Sequence, residues 1–179
     1  RGDWQPDPPG ADSTFLGDVL ERVALSCGKD REGLYRAIAG GFMLSADNAH
    51  AVHPDSPEKS DPTNRCYLNE GVVVKHSPRY ASDALTAGLF QRICQKAGVP
   101  VQVYYNNSKI PGGGTLGNLS GSHVALPTVD IGLAQLSMHS PYETLRQGLE
   151  YMVQAMEHFT RQCSPSPART HYEILKVFW

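Results

Sequence analysis

Phe42-Met43-Leu44-Ser45-Ala46-Asp47-Asn48-Ala49-His50-Ala51-Val52-His53-Pro54 joins an apolar run to a carboxylate and two imidazoles at successive spacings of three. The run 42–45 is too short for a helix and has the continuous hydrophobicity of a strand buried on both faces, so it predicts a strand that delivers Asp47 at its C-terminal end. In α/β folds, ligands gather outside the carboxyl ends of strands. Asp and His are the oxygen and nitrogen ligands a catalytic zinc prefers, and a tight turn brings residues three apart onto one side. The same spacing also fits a loop with two solvated histidines, and no HExxH helix accompanies it.

Working outward, residues 13–27 carry Phe15, Leu16, Val19, Leu20, Val23 and Ala24 at helical spacing, with Asp12 or Ser13 as cap and Gly28 as stop. A shorter helix is expected over 31–39, running into Gly40-Gly41. Residues 54–69 are rich in Pro and polar residues and predict a surface loop. A second strand is expected over 71–75, ending on Lys75, then a helix over 81–97 with Leu85, Leu89, Phe90, Ile93 and Cys94 apolar, and a strand over 101–105. The run Pro111-Gly112-Gly113-Gly114-Thr115-Leu116-Gly117 leads into a short helix. It lacks the Lys-Ser/Thr ending of a P-loop and the spacing of a dinucleotide fingerprint, which leaves close backbone approach to an anionic or carbonyl group, or a tight structural turn. A strand over 128–132, a loop carrying His139 and an amphipathic helix over 141–162 complete the series. Strands alternating with helices predict an α/β fold with a mixed, mostly parallel sheet flanked by helices.

With 179 residues and 40% hydrophobic composition the chain can bury a sizeable core as one domain. A formal charge of -2 with dispersed charges argues against a nucleic-acid partner. No apolar run approaches the length needed to span a bilayer, so the expectation is a soluble, cytoplasmic protein without a membrane partner. Cys27, Cys66, Cys94 and Cys163 are scattered without a CxxC pair, which fits reduced thiols.

The segments 42–54, Arg79-Tyr80-Ala81, Gly98-Val99-Pro100-Val101-Gln102, Thr128-Val129-Asp130-Ile131-Gly132 and Met138-His139-Ser140 resemble, in that order, the aspartyl aminopeptidase family. The resemblance runs over 10–162 and implies the C-terminal part of a zinc-exopeptidase-like catalytic domain. The family's enzymes use two zinc ions to remove N-terminal, often acidic, residues from peptide substrates, and assemble as a homo-oligomer, a dodecamer. Two metals close together polarise the scissile carbonyl and acidify a shared water, while a Glu takes its proton. By the resemblance, Asp47 and His139 are metal ligands, His50 contacts substrate, Lys75 pairs with an acidic side chain or carboxylate, and Tyr80 binds substrate on a loop shorter than in relatives.

The departures bear equally on function. The family's Glu-Glu pair, which supplies general base and ligand, falls on Arg1 and Gly2, and its first metal-binding His and bridging Asp belong further upstream. Segments 1–9 and 163–179 do not resemble the family. Gly112 and Gly114 stand where other residues are usual, and 145–148 replaces a glycine-containing turn. The expectation is therefore an incomplete catalytic domain, inactive alone, with open sheet edges and apolar helix faces. The alternative from another class is a catalytically inactive, peptidase-like interaction or assembly module. A further possibility is a second polypeptide that supplies the missing ligands.

Overall fold

The computed structural model describes residues 10–140, 143, 145–162 and 176–178. Its elements in chain order are α1 (Phe15–Ser26), α2 (Arg31–Ala39), β1 (Phe42–Ala46), β2 (Ala49–His50), a 3-10 turn (Pro57–Lys59), β3 (Val72–His76), α3 (Ala84–Ala97), β4 (Val101–Tyr105), α4 (Leu116–Gly121), β5 (Thr128–Gly132), β6 (Ala134–Gln135), α5 (Arg146–Gln162) and β7 (Lys176–Phe178). Five strands form one sheet in the order β4-β3-β5-β1-β7, and β2 and β6 form a small second one. Pairing is parallel for β1/β5, β1/β7 and β3/β4 and antiparallel for β3/β5, which makes the expected mixed, mostly parallel sheet.

Side-chain alternation along the strands divides the core into two faces. Phe42 and Leu44 of β1, Val72 and Val74 of β3 and Val129 and Ile131 of β5 meet Phe90 and Ile93 of α3 and Met152, Ala155 and Phe159 of α5. Phe42 and Phe159 pack ring against ring, centroids 5.7 Å apart. Met43, on the other face of β1, meets Leu16 and Leu20 of α1, Leu34 of α2, Val124 and Leu126. The triplet Val72-Val73-Val74 is wholly buried because Val73 joins a third cluster with Ala49, Ala51, Cys66 and Ala134. Strands covered on both faces need apolar residues at every position, which is why their sequences run without polar alternation.

Several boundaries differ from expectation, each for a local reason. The cap position of α1 falls on Thr14 rather than Asp12 or Ser13, and Thr14 makes no side-chain cap bond; Ser13 Oγ instead accepts from the Phe15 amide at 3.3 Å. α3 starts at Ala84, not at 81, because Asp83 and Thr86 form a reciprocal capping box, while the Ala81 amide is committed to Asp130. β3 extends one residue beyond Lys75 to His76. α5 begins at Arg146; of the expected start of that helix, residues 141, 142 and 144 lie outside the described residues.

The sheet edges are managed unequally. The outer edge of β4 is overlaid by the loop that precedes β3: Ser60 bridges Asn106, the Cys66 thiol donates to the Val103 carbonyl, and Gln102 Oε1 accepts from the Tyr67 amide. Covering an edge in this way prevents strand addition. At the other end β7, from the 163–179 segment, pairs with β1. The expected open helix face is present on α1, where Phe15, Val19 and Val23 are exposed at four-residue intervals. Among the described residues no helix is long and apolar enough to cross a membrane.

Two glycines give opposite expectations for substitution. A Cβ on Gly132 would collide with the Asp47 carbonyl, whereas one on Gly88, within α3, meets nothing within 4 Å. Gly132→Ala is expected to lower stability by about 2 kcal/mol through forced backbone displacement, and Gly88→Ala to raise it by about 1 kcal/mol through helix propensity. Urea denaturation of both variants measures the difference; equal effects would contradict the packing described.

Candidate active site

A cavity of about 770 Å³ lies where the chain leaving β1 meets Lys75 of β3 and the segment that follows β4, and gathers Asp47, His50, His53, Lys75, Tyr80, Asn106, the glycines 112–114, Thr115 and His139. All five residues singled out in the sequence, Asp47, His50, Lys75, Tyr80 and His139, line this one space. They reach it from four segments. The Asp47 amide donates to the Ile131 carbonyl, and the Ala49 and Ala51 amides to the Leu133 and Gln135 carbonyls, so 47–51 runs alongside 131–135. That pairing, which includes β2 and β6, turns Asp47, His50 and His53 towards the cavity and brings the chain to His139.

Lys75 is only 3% exposed, and its ammonium lies 3.6 Å from Asp47 Oδ2, 3.3 Å from the Asn48 carbonyl and 5.6 Å from the centre of the Tyr80 ring. A buried cation requires such partners, since desolvation would otherwise neutralise it. Burial lowers the pKa of His50, the neighbouring His139 and Lys75 lower it further, and Asp47 opposes them. His50 therefore presents a neutral imidazole, able to donate from one nitrogen and accept at the other. Burial raises the pKa of Tyr80, a hydrogen bond from Asn106 lowers it, and the charges of Asp130 and Asp47 raise it. The Tyr80 hydroxyl is thus protonated at neutral pH.

His139 has φ 68°, in the left-handed region. It is the third residue of a turn closed by the Ser140 amide on the Ser137 carbonyl at 2.9 Å, the position where a type II turn demands positive φ. The loop before it is held by Glu143, whose two carboxylate oxygens accept from the Leu136 and Ser137 amides at 2.8 and 2.7 Å. A non-glycine residue kept in this conformation points to a use for its side chain.

The site was only partly visible in the sequence. Asn106 and His53 also line the cavity, the latter having been seen in the motif without a role. Asn106 carried no signal, because an Asn-Asn pair before a glycine run resembles any turn. A groove of about 790 Å³ on the far side of the sheet, between α3 and β4, holds Arg92 and Lys96 but no acid or imidazole.

The sequence matches the family described as Aminopeptidase I zinc metalloprotease (M18) over residues 7–160. The chain belongs to the M18 aminopeptidase family. It is 48% identical over 133 residues to "Probable M18 family aminopeptidase 2" of Clostridium acetobutylicum, covering 73% of this chain and 31% of that protein. The protein of the same name from Mycobacterium tuberculosis is 44% identical over 138 residues, covering 76% of this chain and 32% of that one. The chain thus spans about a third of the length of the curated relatives it matches. Among solved structures, Ape4 in its complex with Nbr1 superposes with a TM-score of 0.80 at 32% identity, over 88% of this chain and 30% of that one. Yeast aminopeptidase 1 superposes at 0.71 and 24% identity, over 88% and 35%, a likeness of fold.

The family's description names zinc, and the donors in the cavity are of the right chemistry but too few. Asp47 and His139 offer a carboxylate and an imidazole, yet among the described residues no three His, Cys, Asp or Glu side chains come together as a metal-holding group. Among the described residues the donors do not complete a metal site.

The backbone strain at His139 is separable from its chemistry. His139→Gly is expected to be more stable than His139→Ala by about 1 kcal/mol, because glycine removes the left-handed Cβ conflict. Thermal or urea unfolding of the pair checks this; a more stable alanine variant would argue against the left-handed turn.

Proposed function

We propose that this chain is the C-terminal portion, residues 10–162, of the catalytic domain of a zinc-dependent aminopeptidase that removes N-terminal, acidic residues from peptides through a two-metal site. The observation that carries it is the convergence of Asp47, His50, Lys75, Tyr80 and His139 on one cavity. Membership of the M18 family supports the peptidase chemistry. The activity belongs to the complete enzyme, because the donors described here stop short of a metal site.

In this reading Asp47 and His139 are this chain's share of the metal ligands, and the zinc ions would polarise the scissile carbonyl and acidify a bound water. The chain's own groups bind and orient. Lys75 is a desolvated cation at the cavity wall, suited to an acidic side chain or a peptide carboxylate, and its distance of 3.6 Å from Asp47 leaves that pairing loose enough to share. His50 contributes a neutral donor and acceptor, and Tyr80 a hydroxyl. The open glycines 113 and 114, where a Cβ would meet nothing within 4 Å, leave room for peptide backbone along one wall. Assembly as a homo-oligomer follows the solved structure of a yeast aminopeptidase dodecamer, a likeness that supports fold first. Free thiols at Cys27, Cys66 and Cys94 are in keeping with a reducing, cytoplasmic setting.

Metal analysis of the purified chain, its mass confirmed as a single 179-residue polypeptide, tests the division of labour. Zinc is expected near zero after dialysis, since two side chains fall short of the closed ligand sets that hold zinc tightly. Hydrolysis of an N-terminal-aspartyl peptide is expected to be undetectable. Two retained metals per chain, or metal-dependent hydrolysis, would place the complete centre within this chain and overturn the reading.

A further inference from the structure

Asn106 follows β4 and stands between three parts of the cavity wall. Its Oδ1 accepts from the Tyr104 hydroxyl at 2.8 Å. Its amide nitrogen reaches Ser77 Oγ at 3.3 Å and the Tyr80 hydroxyl oxygen at 3.4 Å. Oδ1 also lies 3.5 Å from the Tyr80 oxygen, the longest contact of the set. Opposite, a Cβ on Gly112 would fall on the Asn106 amide nitrogen, while the Gly112 carbonyl is held by Arg79 at 2.9 Å. Tyr80 and Arg79 belong to the same turn, closed by the Tyr80 amide on the Ser77 carbonyl.

The distances favour one direction. Oδ1 already accepts from Tyr104 at 2.8 Å, and its 3.5 Å to the Tyr80 oxygen is further outside the range of an O–H···O bond than the 3.4 Å of the amide nitrogen is outside that of an N–H···O bond, so the amide is the better donor to Tyr80. A Tyr80 oxygen that accepts from Asn106 keeps its own proton for another partner, and the open side is the cavity. We propose that Asn106 is a positioning residue that holds Tyr80 as a hydrogen-bond donor towards the cavity, and that Gly112 is glycine because Asn106 occupies the space of its side chain. The ligand served would be a carboxylate or carbonyl oxygen of a bound peptide, which rests on the aminopeptidase reading above; the link between Asn106, Gly112 and Tyr80 does not.

The test uses the 179-residue chain with ¹³C-labelled tyrosine, following Tyr80 by NMR. Lys75 and Asn106 touch its ring and hydroxyl, and Tyr104, Asp130 and Asp47 act on it through charge. Asn106→Leu removes the amide donor and Asn106→Asp replaces it with an acceptor while Tyr104 keeps a partner. Both should raise the Tyr80 titration midpoint, the Asp variant more, and Gly112→Ala should shift it in the same direction by displacing Asn106. A merely structural role would change stability and leave the Tyr80 midpoint in place in Asn106→Leu, and an unmoved midpoint in folded Asn106→Leu would overturn the proposal; the Asp variant adds a charge that raises the midpoint by itself and so serves to calibrate the shift. Titration with an N-terminal-aspartyl dipeptide is the second arm. Binding to the native chain should weaken about tenfold in Asn106→Asp, the worth of one hydrogen bond. If the midpoint moves but the dipeptide binds the native chain and Asn106→Asp equally, the positioning role stands and the peptide reading of Tyr80 falls.

Discussion

The parallel pairing of β1 with β5 is the constraint on which the rest depends. Met43 to Ala46 lie against Thr128 to Ile131 in register, and every residue from Phe42 to Ser45 and from Thr128 to Gly132 is buried. Two adjacent strands covered on both faces cannot slip without moving apolar side chains across the sheet. Their ends are therefore fixed together, and the chain leaves both at the same edge, with the Asp47 amide bound to Ile131 and the Asp47 carbonyl against Gly132. The absence of a side chain at Gly132 allows 47–51 and 131–135 to continue side by side past the sheet. His50 and the loop to His139 are carried into one cavity by that continuation.

A second set of contacts ties the remaining wall to the same pair of strands. Asp130 is wholly buried beside Ser45; its Oδ2 accepts from the Ala81 amide at 2.6 Å and its own amide donates to Ser82 Oγ at 2.8 Å. Ser45 Oγ accepts from the Gly117 amide, drawing α4 so close that a Cβ on Gly117 would press on Asp130, Ser45 and Thr128. Thus Tyr80, next to Ala81, and Thr115, just before α4, are both referenced to β1 and β5. Buried polar groups of this kind are costly unless bonded, and they specify one arrangement when they are. Asp130 Oδ1 has no partner among the described groups, so the clasp is maintained at some cost to stability.

What could be read from the sequence follows from how much of each feature is local. The runs 42–45 and 72–74 announce two-sided burial by lacking polar alternation, and Ala84–Ala97 shows its buried face through Phe90, Ile93 and Cys94. Asp47, His50 and His53 do line one cavity, but through an extended segment paired with 131–135 rather than the tight turn their spacing suggested. By contrast β2 and β6 have two residues each, too few for any periodicity, and they exist only because longer strands bring them together. The antiparallel sense of β3 against β5 and the pairing of β7 are likewise relations between distant segments. Lys75 ended an apolar strand, and only the resemblance placed it in a pocket; its partners Asp47, Asn48 and Tyr80 come from other segments. Resemblance to a family supplied roles for five residues, but not Asn106, whose contacts span 26 to 29 positions to Tyr80 and Ser77.

The charges of the cavity are paired without being locked together. Asp47 Oδ2 lies 3.6 Å from the buried Lys75 ammonium, a loose contact rather than a closed hydrogen bond. Buried ion pairs add little stability on balance, because desolvation offsets attraction. The two groups are close enough to balance their charges, and each is anchored by its own backbone. Lys75 is anchored by β3 and the Asn48 carbonyl, and Asp47 by β5. The pair therefore balances its charges while each side chain stays fixed to its own part of the sheet.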